Sequence, residues 1–267
     1  MTYIASISGG KDSTAMTDLL LKHNYPVDYI IFNDTLAEFP EMYKYIDKLD
    51  SYFQRKYGKK ITRLKPMKPH YDDVIFARVK KKTSKYYGMI KGIFSPVMGF
   101  CEWRTLAKIR PTERYLKSLG IKDYKTYIGY TTTETGRLNR EDKTKLYPLV
   151  DIFHFNEMDC ATYLRKNEME NPLYRKFSRT GCAFCPAHGE TGKFYVWKYY
   201  PKVWAEMKRI EKRLKELEKG GEQVIYNNWH LGESLEELEA KFIKADKQKS
   251  LFDELDPEPL KDCFCKV

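Results

Sequence analysis

Near its start the chain changes from an apolar run, Tyr3-Ile4-Ala5-Ser6-Ile7, into Ser8-Gly9-Gly10-Lys11-Asp12-Ser13-Thr14, and then into Ala15-Met16 and Leu19-Leu20 at helical spacing. A buried strand joined to a helix by paired glycines is a demanding arrangement. The glycines let the main chain approach an anion with no Cβ atoms in the way, and the helix that follows offers its unpaired N–H groups and the positive end of its dipole. Lys11 adds a point charge, Ser8 and Ser13 add hydroxyls, and Asp12 adds a carboxylate for a metal ion or the helix start. Thr14 completes the phosphate-facing set.

The segments that follow repeat the strand–helix alternation. Asp28-Tyr29-Ile30-Ile31-Phe32 is a second apolar strand, left through Asn33-Asp34-Thr35 before Glu38-Phe39-Pro40-Glu41 opens a helix. Lys59-Lys60-Ile61-Thr62-Arg63-Leu64 is a weaker third strand, and Lys125-Thr126-Tyr127-Ile128-Gly129-Tyr130 a fourth. This order predicts an α/β fold with a doubly wound, mostly parallel sheet. Ligands of such sheets lie beyond the carboxyl ends of the strands, so Ser8 to Ser13 and Asn33 to Glu38 should face one pocket.

Beyond Pro186 the pattern becomes helical. Trp204, Met207, Ile210, Leu214 and Leu217 recur at three- and four-residue steps, which predicts an amphipathic helix over 198–219, stopped by Gly220-Gly221. Glu211 and Lys215 are expected on its wet face at the i,i+4 spacing. Ser234-Leu235-Glu236-Glu237 is a capping-box start for a further helix reaching 249. The expected organisation is a nucleotide-binding α/β domain over 1–186 and a helical C-terminal extension over 187–267.

A chain of 267 residues can bury a sizeable core. It has no apolar run of bilayer length, and it enters its first strand without a basic and then apolar leader, so a cytoplasmic protein with no membrane partner is expected. Lys and Arg number 48 against 37 Asp and Glu, a formal charge of +11, which favours polyanionic partners. One local run, Lys80-Lys81-Lys82 and Lys85 before Tyr86-Tyr87, reads first as a solvated loop and second as a holder of single strands.

The loop lacks the Gly-x-x-x-x-Gly-Lys-Ser/Thr spacing of Walker NTPases. Its Ser-Gly-Gly-x-Asp-Ser pattern resembles that of the PP-loop ATP pyrophosphatase superfamily. Asp34-Thr35 with Glu38-Phe39-Pro40 is similar to the Asp-Thr-x-x-Glu-Phe-Pro segment of the phosphoadenosine-phosphosulfate (PAPS) reductase family within it. Cys101 leading to Lys108-Ile109-Arg110-Pro111 resembles that family's Cys…Lys-x-x-Pro helix start, and Gly181-Cys182-Ala183-Phe184-Cys185-Pro186 its Gly-Cys-x-x-Cys loop. The matches occur in family order over about two-thirds of the chain.

Cys182 and Cys185 place two thiols within chelating distance; Cys101 can converge from a helix start, and Cys265 or Cys263 can supply a fourth corner. Four thiolates suit a 4Fe–4S cluster or tetrahedral Zn²⁺, and spacing does not separate them. The family resemblance implies iron–sulfur, although the first cysteine pair of cluster-bearing relatives is incomplete here, Phe100 and Glu102 flanking a lone Cys101. Cys160 reads as simply buried, and His188 as a surface histidine. Lys261-Asp262-Cys263 loosely resembles the tail in which sulfonucleotide reductases carry their nucleophile, which would make Cys263 catalytic and thioredoxin a partner.

Superfamily members that split ATP between its α and β phosphates keep the intact loop, as here, whereas sulfonucleotide reductases commonly have a degenerate one. The resemblance therefore implies Mg²⁺–ATP as the nucleotide substrate, Lys11 and Asp12 as catalytic groups, and Asp34 and Thr35 on the nucleoside side. Arg137 and Arg140 are candidates, on position alone, for gripping phosphate or sulfate. The expected reaction is adenylation of an acceptor, for iron–sulfur-dependent sulfur transfer to tRNA or DNA with a sulfur donor protein. Sulfonucleotide reduction, sulfate or FMN adenylylation, and a non-catalytic nucleotide-binding accessory role are the alternatives.

Overall fold

The first apolar run becomes β1 (Thr2–Ile7), whose Ile4, Ala5 and Ile7 are at most 2% exposed. A computed structural model describes residues 1–67, 70–93, 101–230 and 232–249. Continuous rather than alternating burial follows from covering a strand on both faces, as in parallel sheets. The chain continues through α1 (Lys11–Lys22), β2 (Tyr29–Asn33), α2 (Pro40–Tyr57), β3 (Ile61–Leu64), β4 (Tyr124–Tyr127) and β5 (Lys145–Leu146). The strands lie in the order β3-β2-β1-β4-β5, and every neighbouring pair is parallel. This is the expected doubly wound α/β sheet. Its order reverses between β1 and β4, where such sheets open a crevice.

The register brings the site segments together. Ile7 is paired with Phe32, so Ser8 and Asn33 stand side by side at the carboxyl ends of β1 and β2. In α2, Met42, Tyr45, Ile46, Leu49 and Phe53 recur at helical spacing and are buried. That helix begins with Pro40, whose missing N–H costs nothing at a first turn, and ends at Gly58 with φ +65°. The fourth strand stops at Tyr127, before the Ile128-Gly129-Tyr130 segment in which the chain passes over the start of α1.

The described residues group into two compact units, the first comprising 1–67 and 104–175 with the whole sheet, the second drawn from 68–103 and 176–249. The second unit is helical. Where the periodicity predicts one helix over 198–219, there are two: Glu190–Tyr199 and Pro201–Lys219. Pro201 has no N–H to continue the ladder and drives Tyr200 out of helical geometry, to φ −131° and ψ 61°. Trp204, Met207, Ile210 and Leu214 form the buried stripe as expected. The capping box at Ser234 is present: Glu237 N–H donates to Ser234 Oγ at 3.2 Å, and Ser234 N–H to Glu237 Oε2 at 2.7 Å. No described helix is long and apolar enough to cross a membrane.

Glu211 corrects the helical-wheel expectation. It pairs with Lys215 at 2.9 Å, but it is only 3% exposed. Its carboxylate also accepts from Leu235 N–H at 3.0 Å and Trp229 N–H at 3.3 Å, tying two later segments to the 201–219 helix. A surface-pair reading misses this because the groups that bury Glu211 are backbone donors with no sequence signature. Glu211→Ala leaves both buried N–H groups unsatisfied and should lower the unfolding free energy by roughly 2–4 kcal/mol, measured by urea titration.

Candidate functional site

The loop between β1 and α1 is held from inside. Ser13 Oγ accepts from Ser8 N–H at 3.1 Å, lies 3.0 Å from Ser8 Oγ and donates to the Gly10 carbonyl at 3.2 Å. Gly9 takes φ +74°, and a Cβ there would sit 2.3 Å from Met42 Sδ. Gly10, just before the helix, has no side chain to cap it, so the N–H groups of Asp12 and Ser13 receive no bond from that position. Gly129 arrives from the end of β4, and a Cβ on it would lie 2.8 Å from both Ser13 N and Ser13 Cα. Glycine at 129 is therefore a condition for the close crossing of this segment over the helix start.

Three residues outside the sequence motifs complete the surroundings. Asn171 Nδ2 donates to the Gly9 carbonyl at 2.9 Å, Tyr174 OH accepts from Lys11 N–H at 2.9 Å, and Lys11 Nζ donates to Glu157 Oε2 at 2.6 Å. Asn171-Pro172-Leu173-Tyr174 and Glu157 are remote in sequence and carry no motif; the packing of the Glu157–Lys166 helix and the turn after it brings them in. Burial alone would lower the Lys11 ammonium, but the Glu157 hydrogen bond and the charge of Asp12 outweigh it and raise its pKa. A carboxylate thus holds the Lys11 ammonium beside the loop.

Asp12 has the opposite problem. Burial pushes its carboxyl up to about 7; Glu157 and Glu134 reinforce the shift, and Lys11 and a hydrogen bond from the Cys160 thiol only partly oppose it. Its Oδ1 is buried with no hydrogen-bond partner. An unpartnered carboxyl oxygen beside this loop suits a cation such as Mg²⁺, which is commonly held by one or two carboxylates together with substrate phosphates. Cys160 is fully buried on its helix as expected, and burial and the Asp12 charge push its thiol up.

At the end of β2, Asp34 is buried and accepts from Leu36 N–H at 2.8 Å and Tyr43 OH at 3.0 Å, while Thr35 Oγ1 donates to Glu38 Oε1 at 2.7 Å. Leu36 is forced to φ +56° by this turn. Burial raises Glu38, against the nearby charge of Lys108, so two of the separated motifs converge here. Asn33 Nδ2 also donates to Thr112 Oγ1 at 3.0 Å. Arg137 stacks over Tyr130 at 4.4 Å and pairs with Glu134, and Arg140 is held by both Asp151 carboxylate oxygens at 2.8 Å.

The described cysteines of the sequence motifs, Cys101, Cys182 and Cys185, belong to the second unit. A tight turn joins Cys182 and Cys185, whose N–H donates to the Cys182 carbonyl at 2.9 Å. Phe184, between them, stacks on Tyr71 at 5.9 Å, and Trp103, two residues after Cys101, meets the same Tyr71 ring edge-on at 5.4 Å. The segments carrying the three thiols thus share one aromatic neighbour. Among the described residues, however, no three His, Cys, Asp or Glu side chains are grouped closely enough to hold a metal ion. The described set therefore does not fit a cluster or a zinc ion by itself. Cys263 and Cys265 lie outside the described residues.

His188 is a correction. It is 4% exposed rather than on the surface, with Nε2 3.0 Å from the Cys182 carbonyl, and burial lowers its pKa to about 3. Lys193, 1% exposed, donates to the carbonyls of Pro186, at 3.1 Å, and His188; burial lowers it to about 8. An imidazole and an ammonium therefore fold the cysteine turn from its buried side.

The raised pKa of Asp12 has a thermodynamic consequence. The folded protein holds this proton more tightly than the unfolded chain does, so stability is lost as pH rises from the ordinary value of 3.8 through about 7. Asp12→Asn removes the penalty. Without ligand it should be more stable than the parent above pH 7 by roughly 1–4 kcal/mol, with the difference vanishing below pH 3.8; denaturant titration across that range checks it.

Residues 2–188 match the family model described as the phosphoadenosine phosphosulfate reductase domain. Two uncharacterized proteins of Methanocaldococcus jannaschii are similar: MJ0066, 27% identical over 235 residues (83% of this chain and 44% of the relative), and MJ0973, 26% identical over 220 residues (78% and 47%). The chain spans about half the length of these curated relatives. Among solved structures, phosphoadenylyl-sulfate (PAPS) reductase from Candida auris in its phosphate complex aligns with TM-score 0.42 and 19% identity, covering 65% of this chain and 76% of that one. The U34-tRNA thiolase NcsA from Methanococcus maripaludis, with its 4Fe–4S cluster, aligns with TM-score 0.41 and 14% identity, covering 100% and 80%. With the intact glycine loop between β1 and α1 and a family match over 2–188, the chain belongs to the phosphoadenosine phosphosulfate reductase family of the PP-loop superfamily.

Proposed function

We propose that this protein binds Mg²⁺–ATP and cleaves it between the α and β phosphates, transferring AMP to an acceptor oxygen on a nucleic acid so that sulfur can replace that oxygen. The observation that carries the reading is the start of α1 behind Gly9 and Gly10, where the N-cap position offers no side-chain cap, with Lys11 and the unpartnered Asp12 Oδ1 beside it. The outer two phosphates suit such a cradle, because helix N–H groups, a lysine and a metal-bearing carboxylate all favour concentrated negative charge.

In this reading an acceptor oxygen attacks the α-phosphorus and forms a new P–O bond. The bond from that phosphorus to the bridging oxygen breaks, and pyrophosphate departs with the electron pair. Lys11 gives up Glu157 and pairs with the departing phosphates; the α1 N–H groups hold them in line. Mg²⁺, when bound, neutralises charge on the leaving group. Asp12 would hold it, and a metal also returns the Asp12 carboxyl to its ionised form by supplying the missing counter-charge. Positioning and charge stabilisation supply the acceleration, as in phosphoryl transfer generally. A hydrosulfide ion released by a donor protein then attacks the carbon that bears the adenylated oxygen; the C–S bond forms, the C–O bond breaks with its electron pair leaving on AMP, and loss of the S–H proton completes the replacement.

The turn with Cys182 and Cys185 lies in the unit that also holds Cys101, and we assign sulfur handling to it. The formal charge of +11 supports a polyanionic acceptor. Chromatography of products from labelled ATP tests the proposal. AMP and pyrophosphate, formed only when RNA or DNA is present, support it; ADP and phosphate contradict it. Lys11→Ala should lower the rate of pyrophosphate release by roughly a hundredfold or more, while circular dichroism stays unchanged.

A further inference from the structure

The basic run at 80–85 does not form a featureless loop. Arg78 and Ile90 form an antiparallel bridge, Val79 N–H donates to the Met89 carbonyl at 2.9 Å, and Gly88 N–H donates back to the Val79 carbonyl at 3.0 Å. The returning strand is clasped from its other side: Ile90 N–H donates to Gln223 O at 2.8 Å, Ile225 N–H to Ile90 O at 2.9 Å, and Ile93 N–H to Tyr226 O at 2.9 Å. Gly92, at φ +71°, makes that clasp feasible, since a Cβ there would fall 1.8 Å from the Tyr226 carbonyl oxygen. The tip is folded as well. Ser84 N–H donates to Lys81 O at 3.0 Å, Tyr87 N–H to Ser84 O at 3.0 Å, and Met89 N–H to Tyr86 O at 3.1 Å.

This ordered tip presents Lys80, Lys81, Lys82 and Lys85 to solvent. Among the described residues, the hairpin's ion pair is at its base, Arg78 with Glu222 at 2.6 Å, and no carboxylate pairs with the four lysines. Lys85 lies over the Tyr86 ring at 4.8 Å, and Tyr87 is 55% exposed. Uncompensated ammonium groups on a rigid stem, interleaved with an exposed aromatic ring, combine the two elements of single-strand binding: phosphate contact and base stacking. A purely solubilising run needs neither the clasped stem nor the outward tyrosine. Duplex phosphates would satisfy the lysines but leave Tyr87 nothing to stack on.

We propose that the hairpin over 78–90 docks single-stranded nucleic acid, with the lysines on the backbone and Tyr87 against an unpaired base. The proposal deepens the reading of a nucleic-acid acceptor and rests on it for its role in catalysis. The test is fluorescence anisotropy of labelled oligouridine with the full chain, without nucleotide, across a salt series. Four phosphate contacts contribute about 3 to the slope of log affinity against log salt, so the K80S/K81S/K82S/K85S variant should bind more weakly, with a slope shallower by that amount. Tyr87→Ala should weaken oligouridine binding by roughly fivefold or more, with the slope retained and binding to a duplex of equal charge unchanged. Unaltered affinity and slope in the lysine variant, or a silent Tyr87→Ala, overturns the proposal. Because no ATP is present, either failure is distinct from failure of the adenylation reading, which is judged by pyrophosphate release alone. Circular dichroism of both variants confirms that they are folded, and the substituted side chains are all exposed.

Discussion

No side chain fits between Gly129 and the first turn of α1, and the candidate site is organised by that contact. The segment leaving β4 crosses the helix start at a distance a Cβ would reduce to 2.8 Å, while Gly9, on the other side of the loop, leaves equally little room beside Met42. The β1–α1 loop is thereby clamped between the β4 side and α2, with Ser8 and Ser13 bonded across it. A loop fixed in this way has lost its conformational freedom before any ligand arrives, so an anion that binds it need not spend its interaction energy on ordering. The parallel sheet matters to function chiefly because its register delivers the ends of β1 and β2 to the same edge.

Within this frame the electrostatics are unsatisfied in a directed manner. Asp12 is buried with an oxygen lacking a partner, Lys11 is held by a carboxylate that half faces solvent, and at the helix start Gly10 gives no side-chain cap while Tyr174 OH takes the Lys11 N–H. The burial of Asp12 is a local cost to the folded state, whereas the Glu157 bond favours the charged Lys11; in the proposed reading a metal ion with phosphates would give Asp12 its missing counter-charge. Ionisable groups whose environment opposes their charge concentrate at functional sites because binding or chemistry, not stability, maintains them. The cysteine turn is built differently. There His188 and Lys193 are buried but bonded to carbonyl groups, which stiffens the turn.

What the sequence reveals, and what it hides, follows from the range of the interactions. The glycine loop, the apolar strands and the Ser234 capping box are local arrangements in which neighbouring residues carry the whole physical reason, and the structure has them where the sequence places them. Pro201 also divides a predicted helix for a local reason, one that periodicity alone overlooks. Asn171, Tyr174 and Glu157 are illegible because their importance arises only when a helix far along the chain packs beside the loop. Glu211 and His188 read as surface residues because polar side chains usually are; their partners are main-chain groups that any residue could supply.

The central claim is that the clamped loop recognises the two outer phosphates of ATP. Titration calorimetry of the ligand-free protein with ATP, ADP and AMP in the presence of Mg²⁺ measures this directly. Affinity should fall from ATP to ADP to AMP, with AMP weaker than ATP by roughly a hundredfold, the value of two or so charge-assisted contacts. AMP binding as tightly as ATP would contradict the claim, because it would place recognition on the nucleoside and leave the loop without its anion.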